Sequence, residues 1–273
     1  MDTKEICKNI RKDILNMVYN SKSGHIGGSF SAVEIMVAIY FEYIQPEDKV
    51  IISKGHASPL IYSILFEKGK IPKEDLESFR KVDGRLQGHV SCPSCNGIDF
   101  SSGSLGQGLS VANGMAIVKK REKQNGLVYC LLGDGEMQEG QIWEALLTSS
   151  KEKLSNLVIL IDKNDYQLDG SVLDIKSLNP LGHKLASFNI ETLETDGHDL
   201  EQIRKALDRA ISDKREMPLA IILNTIKGKG VSFMENTAAW HGKAPNDEEY
   251  QKAMQELEMG LWKKLQENHM VKY

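Results

Sequence analysis

The sequence predicts an α/β fold, a mostly parallel sheet with helices on both faces. Short apolar runs recur at Val50-Ile51-Ile52, Leu127 to Leu132, Leu157 to Ile161 and Leu219 to Leu223, and Ile190 to Leu193 reads as a further strand. Strands without polar alternation belong to sheets buried on both faces. Segments of helical periodicity separate these runs, and such alternation is the pattern of parallel sheets with right-handed crossovers. His56, Asp134 and Asn164 fall just after three of the runs, where open parallel sheets bind their ligands.

The elements follow in order. Ile6, Ile10, Ile14, Leu15, Met17 and Val18 lie near a 3.6-residue period, so the chain opens on a helix. It stops before Ser23-Gly24-His25-Ile26-Gly27-Gly28, a glycine-dense turn. Ser31 is the expected N-cap of the next helix, Val33 to about Tyr43, with Glu34 completing a capping box. After the strand Val50-Ile51-Ile52 come Gly55-His56, a helix over 56–68 and a long loop over 82–103. A helix over 105–122 draws its apolar stripe from Leu105, Leu109, Ala112, Met115, Ala116 and Val118. The strand Leu127 to Leu132 ends at Gly133-Asp134-Gly135, and Ile142 to Leu147 belongs to the helix beyond it. Leu157 to Ile161 ends at Asp162-Lys163-Asn164, and the last two strands enclose a helix near 199–212. From Asn246 onward, Tyr250, Met254, Leu257, Leu261 and Leu265 share one face of a charged amphipathic helix. We therefore expect one domain over 1–273, with 246–273 a C-terminal helical extension packed on the body or on a partner.

Composition narrows the function classes. With 41% hydrophobic and 26% charged residues among 273, the chain is neither disordered nor fibrous. A net charge of −4 gives no sign of nucleic-acid binding. The apolar runs are far shorter than the ~20 residues of a membrane span, and Met1 to Lys12 lacks the apolar core of a secretory signal. Cys7, Cys92, Cys95 and Cys130 are too few for a disulfide scaffold, so a reducing cytoplasm is expected.

Several motifs carry chemistry. Asp134 and Asn164 set a carboxylate and a carboxamide at the ends of two strands, where both can reach one hard cation such as Mg²⁺. The flanking Gly133 and Gly135 let the backbone approach a phosphate; the plainer reading is a turn with a solvated aspartate. His25, His56, His89, His198 and His241 each sit beside a glycine, which suggests a polar cluster suited to proton transfer. Ser101 to Gly108 is a glycine-rich entry to a helix, in an order that differs from the dinucleotide fingerprint. Cys92-Pro93-Ser94-Cys95 lacks a second ligand pair, so two thiols in a loop is the favoured reading. Lys227-Gly228-Lys229-Gly230 reads as a loop with a phosphate-side role open to it.

These pieces resemble the N-terminal pattern of the transketolase family. The elements are Ser23-Gly24-His25-Ile26-Gly27-Gly28-Ser29, Lys54-Gly55-His56-Ala57-Ser58, Gly88-His89 and Ser102 to Gly108. Gly133-Asp134-Gly135-Glu136, Asp162-Lys163-Asn164 and Trp240-His241-Gly242 complete the set, in family order. The resemblance implies the thiamine diphosphate-binding fold and thiamine diphosphate as cofactor. It implies Asp134, Asn164 and the backbone carbonyl of Tyr166 as ligands of Mg²⁺, or Ca²⁺ or Mn²⁺. It implies His25, His56, His89 and His241 as catalytic histidines around the thiazolium and the sugar hydroxyls. Cofactor contacts would come from His56, Gly103, Ser104, Leu105, Gly133, Asp134, Gly135, Glu136, Asn164 and His241. Glu139 matches an acid that couples two active sites, and Ser104 stands where many members have proline.

A full-length member of that family is more than twice this long. The resemblance therefore implies one subunit of a split transferase, completed by a separate C-terminal subunit in an assembly with two copies of each. It would move a two-carbon ketol unit between sugar phosphates in the cytoplasm, within carbohydrate metabolism such as the pentose phosphate pathway. The alternatives are another thiamine diphosphate-dependent synthase, a transketolase for an unusual sugar phosphate, or a non-catalytic regulatory protein. A nicotinamide-dependent dehydrogenase fits the sheet but lacks its glycine motif.

Overall fold

The computed structural model describes residues 2–92, 95, 97–212 and 214–259. In chain order these form α1 (Thr3–Ser21), α2 (Ile26–Phe30), α3 (Val33–Ala38, continued by a π-helical turn Ile39–Tyr43), β1 (Lys49–Ile52), α4 (Ser58–Glu67), α5 (Lys73–Glu77) and α6 (Gly108–Arg121). Then come β2 (Val128–Gly133), α7 (Gly140–Lys151), β3 (Leu157–Lys163), α8 (Val172–Lys176), α9 (Leu181–Ser187), β4 (Glu191–Asp196), α10 (Leu200–Ala210), β5 (Leu219–Asn224) and α11 (Asp247–Met259). The strands make one parallel sheet in the order β1-β2-β3-β5-β4, so their carboxyl ends share an edge.

The pleat divides the core in two. Tyr129, Leu131, Val158, Leu160, Leu219, Ile221 and Leu223 pack toward α1, α3, α4 and α10. Their neighbours Val128, Cys130, Leu132, Leu157, Ile159, Ile161 and Ile222 pack toward α6, α7 and α9. Alternate side chains point to opposite faces, so strands apolar at every position need helices on both. α11 lies on α1: Tyr250 stacks on Tyr19 at 4.0 Å and donates to Asn16 Oδ1 at 2.8 Å, with Ala253 and Leu257 buried. Leu261 and Leu265 lie outside the described residues.

Several local expectations are corrected. Ser31 is not the N-cap of α3; Ala32 takes that position, and Ser31 closes α2 instead. Its hydroxyl donates to the Asp162 carboxylate at 2.6 Å, while the Glu34 carboxylate binds Arg11 and His198, so the capping box does not form. The expected glycine-dense turn is helical from Ile26, where packing leaves Ile26 through Phe30 buried. The helix expected from 105 begins at Gly108. Gly106 has φ +85°, and the N–H groups of Gly106 and Gly108 donate to Glu136 and Ser53 rather than into a helical turn. Leu105 and Val118 are correspondingly exposed. β4, expected over Ile190 to Leu193, runs over Glu191–Asp196 instead, half polar and mostly outside the core at one edge of the sheet beside β5.

Asp13 of α1 accepts a hydrogen bond from Ser63 of α4 at 3.0 Å, and burial raises its carboxyl to about 6. A raised acid disfavours the folded state once it ionises. The cost is absent below the unfolded value of 3.8, grows between there and 6, and is complete above. Asp13→Asn is therefore expected to stabilise the chain at pH 7 more than at pH 4, read by thermal melting at both. A variant less stable at pH 7 would refute it.

Candidate active site

The carboxyl edge of β1, β2, β3 and β5 gathers the chemistry. Four histidines come together there from distant parts of the chain. The ring centroids of His25 and His56 are 5.3 Å apart, those of His25 and His89 6.0 Å, those of His25 and His241 5.5 Å, and those of His56 and His241 5.3 Å. Burial, then the charge of Arg80, lowers His25 to about 4; burial, then Lys227, lowers His241 to about 3. His56 falls well below the usual imidazole range for the same reasons, burial first and then Lys54. These rings are neutral at pH 7. His25 Nδ1 is buried with no hydrogen-bond partner, an orphaned polar atom of the kind a ligand satisfies. The Lys227 ammonium meets His241 Nδ1 at 2.8 Å, which makes Nδ1 the acceptor and puts the imidazole proton on Nε2.

The candidate cation donors lie beside this ring. Asp134 follows β2; its Oδ2 accepts the Asp165 amide at 2.6 Å and its Oδ1 the Gly135 amide at 2.7 Å. Burial and the neighbouring Asp162 push the Asp134 carboxyl up to about 7. Asn164, after β3, accepts the Tyr166 amide at 3.2 Å and donates to Asp162 at 3.1 Å. The Tyr166 carbonyl accepts from Lys227 at 3.2 Å. Among the described residues no three His, Cys, Asp or Glu side chains converge as a metal cage. One carboxylate, one carboxamide and one carbonyl make an all-oxygen donor set, the ligand chemistry that Mg²⁺ takes together with phosphate and water.

The surrounding loops are held by side chains. Glu136 turns inward: it accepts from Ser53 at 2.5 Å, from the Gly106 amide at 2.9 Å and from the Gly133 amide at 3.2 Å. It therefore staples the 103–108 segment to the end of β2. Gly55 lets that segment approach, because a Cβ there would lie 2.6 Å from the Ser102 backbone. Gly103 lies against the His89 ring, Ser104 and Leu105 are exposed, and Glu139 is exposed beside Gly106.

Lys54, Asp162 and Arg80 enter the site without having been singled out as functional, whereas Lys227 already had a phosphate-side role open to it. Lys54 is 1% exposed and donates to the Gly28 carbonyl at 2.8 Å and to Asp162 at 2.5 Å. Asp162 also accepts from Ser31 and Thr225. Burial opposes its charge, yet Lys54 and these hydrogen bonds hold it below the usual carboxylate range. Lys227 is buried rather than in a solvated loop, and burial, then Lys54, lowers it to about 8. Arg80 donates to Ser23 Oγ at 2.6 Å. A burial-blind reading treats lysine as surface; the signal was its place beside motif glycines. His198 does not join the ring; it binds Glu34 instead. Cys92 is exposed and Cys95 buried, while Pro93 and Ser94 lie outside the described residues.

Comparison with known proteins identifies the family. Residues 2–266 match the family described as transketolase, thiamine diphosphate binding domain. The chain is 35% identical over 268 residues to an apulose-4-phosphate transketolase subunit of Phocaeicola vulgatus, covering 95% of each. It is 37% identical over 258 residues to a 6-deoxy-6-sulfo-D-fructose transketolase subunit of Clostridium sp., covering 91% of this chain and 94% of that one. The crystal structure of transketolase from Campylobacter jejuni superposes with a TM-score of 0.87 at 29% identity, over 94% of this chain but only 43% of that chain. With a family match across nearly its whole length, the chain belongs to the transketolase family and spans its thiamine diphosphate-binding domain.

Proposed function

We propose that this chain is the thiamine diphosphate-binding subunit of a two-component transketolase, which transfers a two-carbon ketol unit between sugar phosphates together with a separate C-terminal subunit. The observation that carries the reading is the ring of neutral histidines beside an all-oxygen cation donor set on the sheet's carboxyl edge. Relatives named as transketolase subunits match this chain over nearly their whole length, whereas the single-chain enzyme of known structure is more than twice as long. The assembly we favour holds two copies of each subunit, since two-fold closure is the commonest.

The residues present fit the cofactor. Asp134, Asn164 and the Tyr166 carbonyl would hold Mg²⁺, with Ca²⁺ or Mn²⁺ as substitutes, and Lys227 would face the anionic diphosphate. Gly133, Gly135 and the 103–105 segment would shape the pocket, with Glu136 holding the loops in place. When bound, thiamine diphosphate supplies the carbon–carbon chemistry. The chain's own side chains bind, orient and move protons. His241 offers an Nε2 proton to a sugar oxygen. His25, neutral and with Nδ1 unpartnered, can accept a proton from a donor hydroxyl. His56 packs against both, and His89 sits at the exposed outer margin. Glu139, exposed beside Gly106, would face another protomer in such an assembly.

The names of the relatives favour a second reading of substrate: a phosphorylated or sulfonated sugar outside the common pentose phosphates. No helix among the described residues is long and apolar enough to cross a membrane, and a cytoplasmic enzyme is our reading. The test is ketol transfer by the purified chain with thiamine diphosphate and Mg²⁺, alone and with the second chain captured from native cells. Activity only in the pair is expected. Normal turnover by the chain alone would refute the two-component reading, and an inactive pair across both sugar classes would refute the catalytic one.

A further inference from the structure

Lys227 reaches the site from the turn after β5, so its aim depends on that turn. Gly228 N–H donates to the Gly27 carbonyl at 3.0 Å, and Asn236 N–H donates to the Lys227 carbonyl at 3.0 Å. Two more contacts come from a single buried cluster on the far side. Ile226 N–H donates to His198 Nε2 at 2.8 Å, and Arg11 Nε donates to the Lys229 carbonyl at 2.9 Å. The cluster thus grips the chain on both sides of Lys227.

One carboxylate joins the two grips. Arg11 donates through both terminal nitrogens to Glu34, at 2.7 and 2.9 Å, and to the Phe30 carbonyl at 3.0 Å. Because His198 Nε2 accepts an amide proton, its Nδ1 is the donor to Glu34, at 3.0 Å. The three side chains are only 8%, 11% and 12% exposed. Burial opposes the Glu34 charge, yet Arg11 and His198 hold its carboxyl down to about 2. Gly230, with φ +104°, lets the backbone pass close to Arg11: a Cβ there would lie 3.1 Å from Arg11 Cδ. An ordinary buried ion pair joins two elements of the core. This one ends on two backbone groups that flank the cation facing the candidate diphosphate site.

We propose that Arg11, Glu34 and His198 are positioning residues that fix the Ile226–Lys229 turn and so set the Lys227 ammonium for the anionic end of the cofactor. The proposal rests on the thiamine diphosphate reading above. Its test is titration calorimetry of the full chain with Mg²⁺ and inorganic pyrophosphate, together with melting of the ligand-free protein. His198→Asn keeps a group at the Nδ1 position but removes the acceptor for Ile226, and should weaken binding about 10-fold. His198→Gln keeps an acceptor at the Nε2 position and should stay within about threefold of the native chain, by the same measure. In a Lys227→Met background the Asn change should have no further effect on affinity, because positioning acts only through the ammonium. If His198→Asn fails to fold, Arg11→Lys reads the same cycle from the other side of the turn. Unchanged affinity in the native background, or equal losses with and without Lys227, would overturn the positioning role. A native chain that binds no pyrophosphate with Mg²⁺ would overturn the cofactor reading and this proposal with it.

Discussion

Asp134→Asn is expected to weaken Mg²⁺-dependent binding of thiamine diphosphate by on the order of 100-fold or more and to remove ketol transfer, while leaving the ligand-free chain as stable as before or more so. The two effects have one cause. Asp134 is 3% exposed and faces Asp162, so its negative charge is costly until a cation arrives. An asparagine of the same shape can still accept one of the two amide protons, from Asp165 or Gly135. It relieves the charge and removes the one anionic ligand of the donor set. Gain of stability with loss of function is the usual signature of a site built against the fold's own preference. Melting of the ligand-free variant and calorimetry with cofactor and Mg²⁺ read the two halves separately. Cofactor affinity within a few fold of native would remove Asp134 from the cation site.

Lys54→Met is expected to be the most destabilising single change at the carboxyl edge. It leaves Asp162, 0% exposed, as a buried anion without its cation, and breaking such a pair costs about 3–5 kcal/mol. For a chain of this size that lowers the melting temperature by on the order of 10 °C. Asp162 retains Ser31, Thr225 and Asn164 as donors; these soften the loss without neutralising the charge. Adding Asp162→Asn removes that charge, so the double variant should be more stable than Lys54→Met alone. Denaturant unfolding of both measures the difference. A single-variant loss under about 1 kcal/mol would place the pair among weak surface-like bridges instead.

Legibility in the sequence was uneven, and the reasons are physical. β1, β2, β3 and β5 were visible because a strand buried on both faces needs apolar residues at consecutive positions; β4, at one edge of the sheet, is half polar and gave the weakest pattern. α1, α6, α7 and α10 were visible through helical period. α2 was not, since Ile26–Phe30 carries two glycines and owes its shape to the packing around it. Ser31 and Glu34 stand in the order of a capping box, yet both side chains bond to groups over a hundred residues away or on another helix. Local spacing cannot weigh a long-range partner against a nearby amide.

By itself, the sequence determined the layered parallel architecture, the strand ends that carry His56, Asp134 and Asn164, and the family. Each of these depends on residue type at short separation. Tertiary structure alone decided that His25, His56, His89 and His241 form one ring and that Glu136 turns inward to bind loops. It also decided that Lys54 and Lys227 are buried cations. Those outcomes depend on which groups exclude water from one another, and that is set by the crossing of chain segments far apart in the sequence.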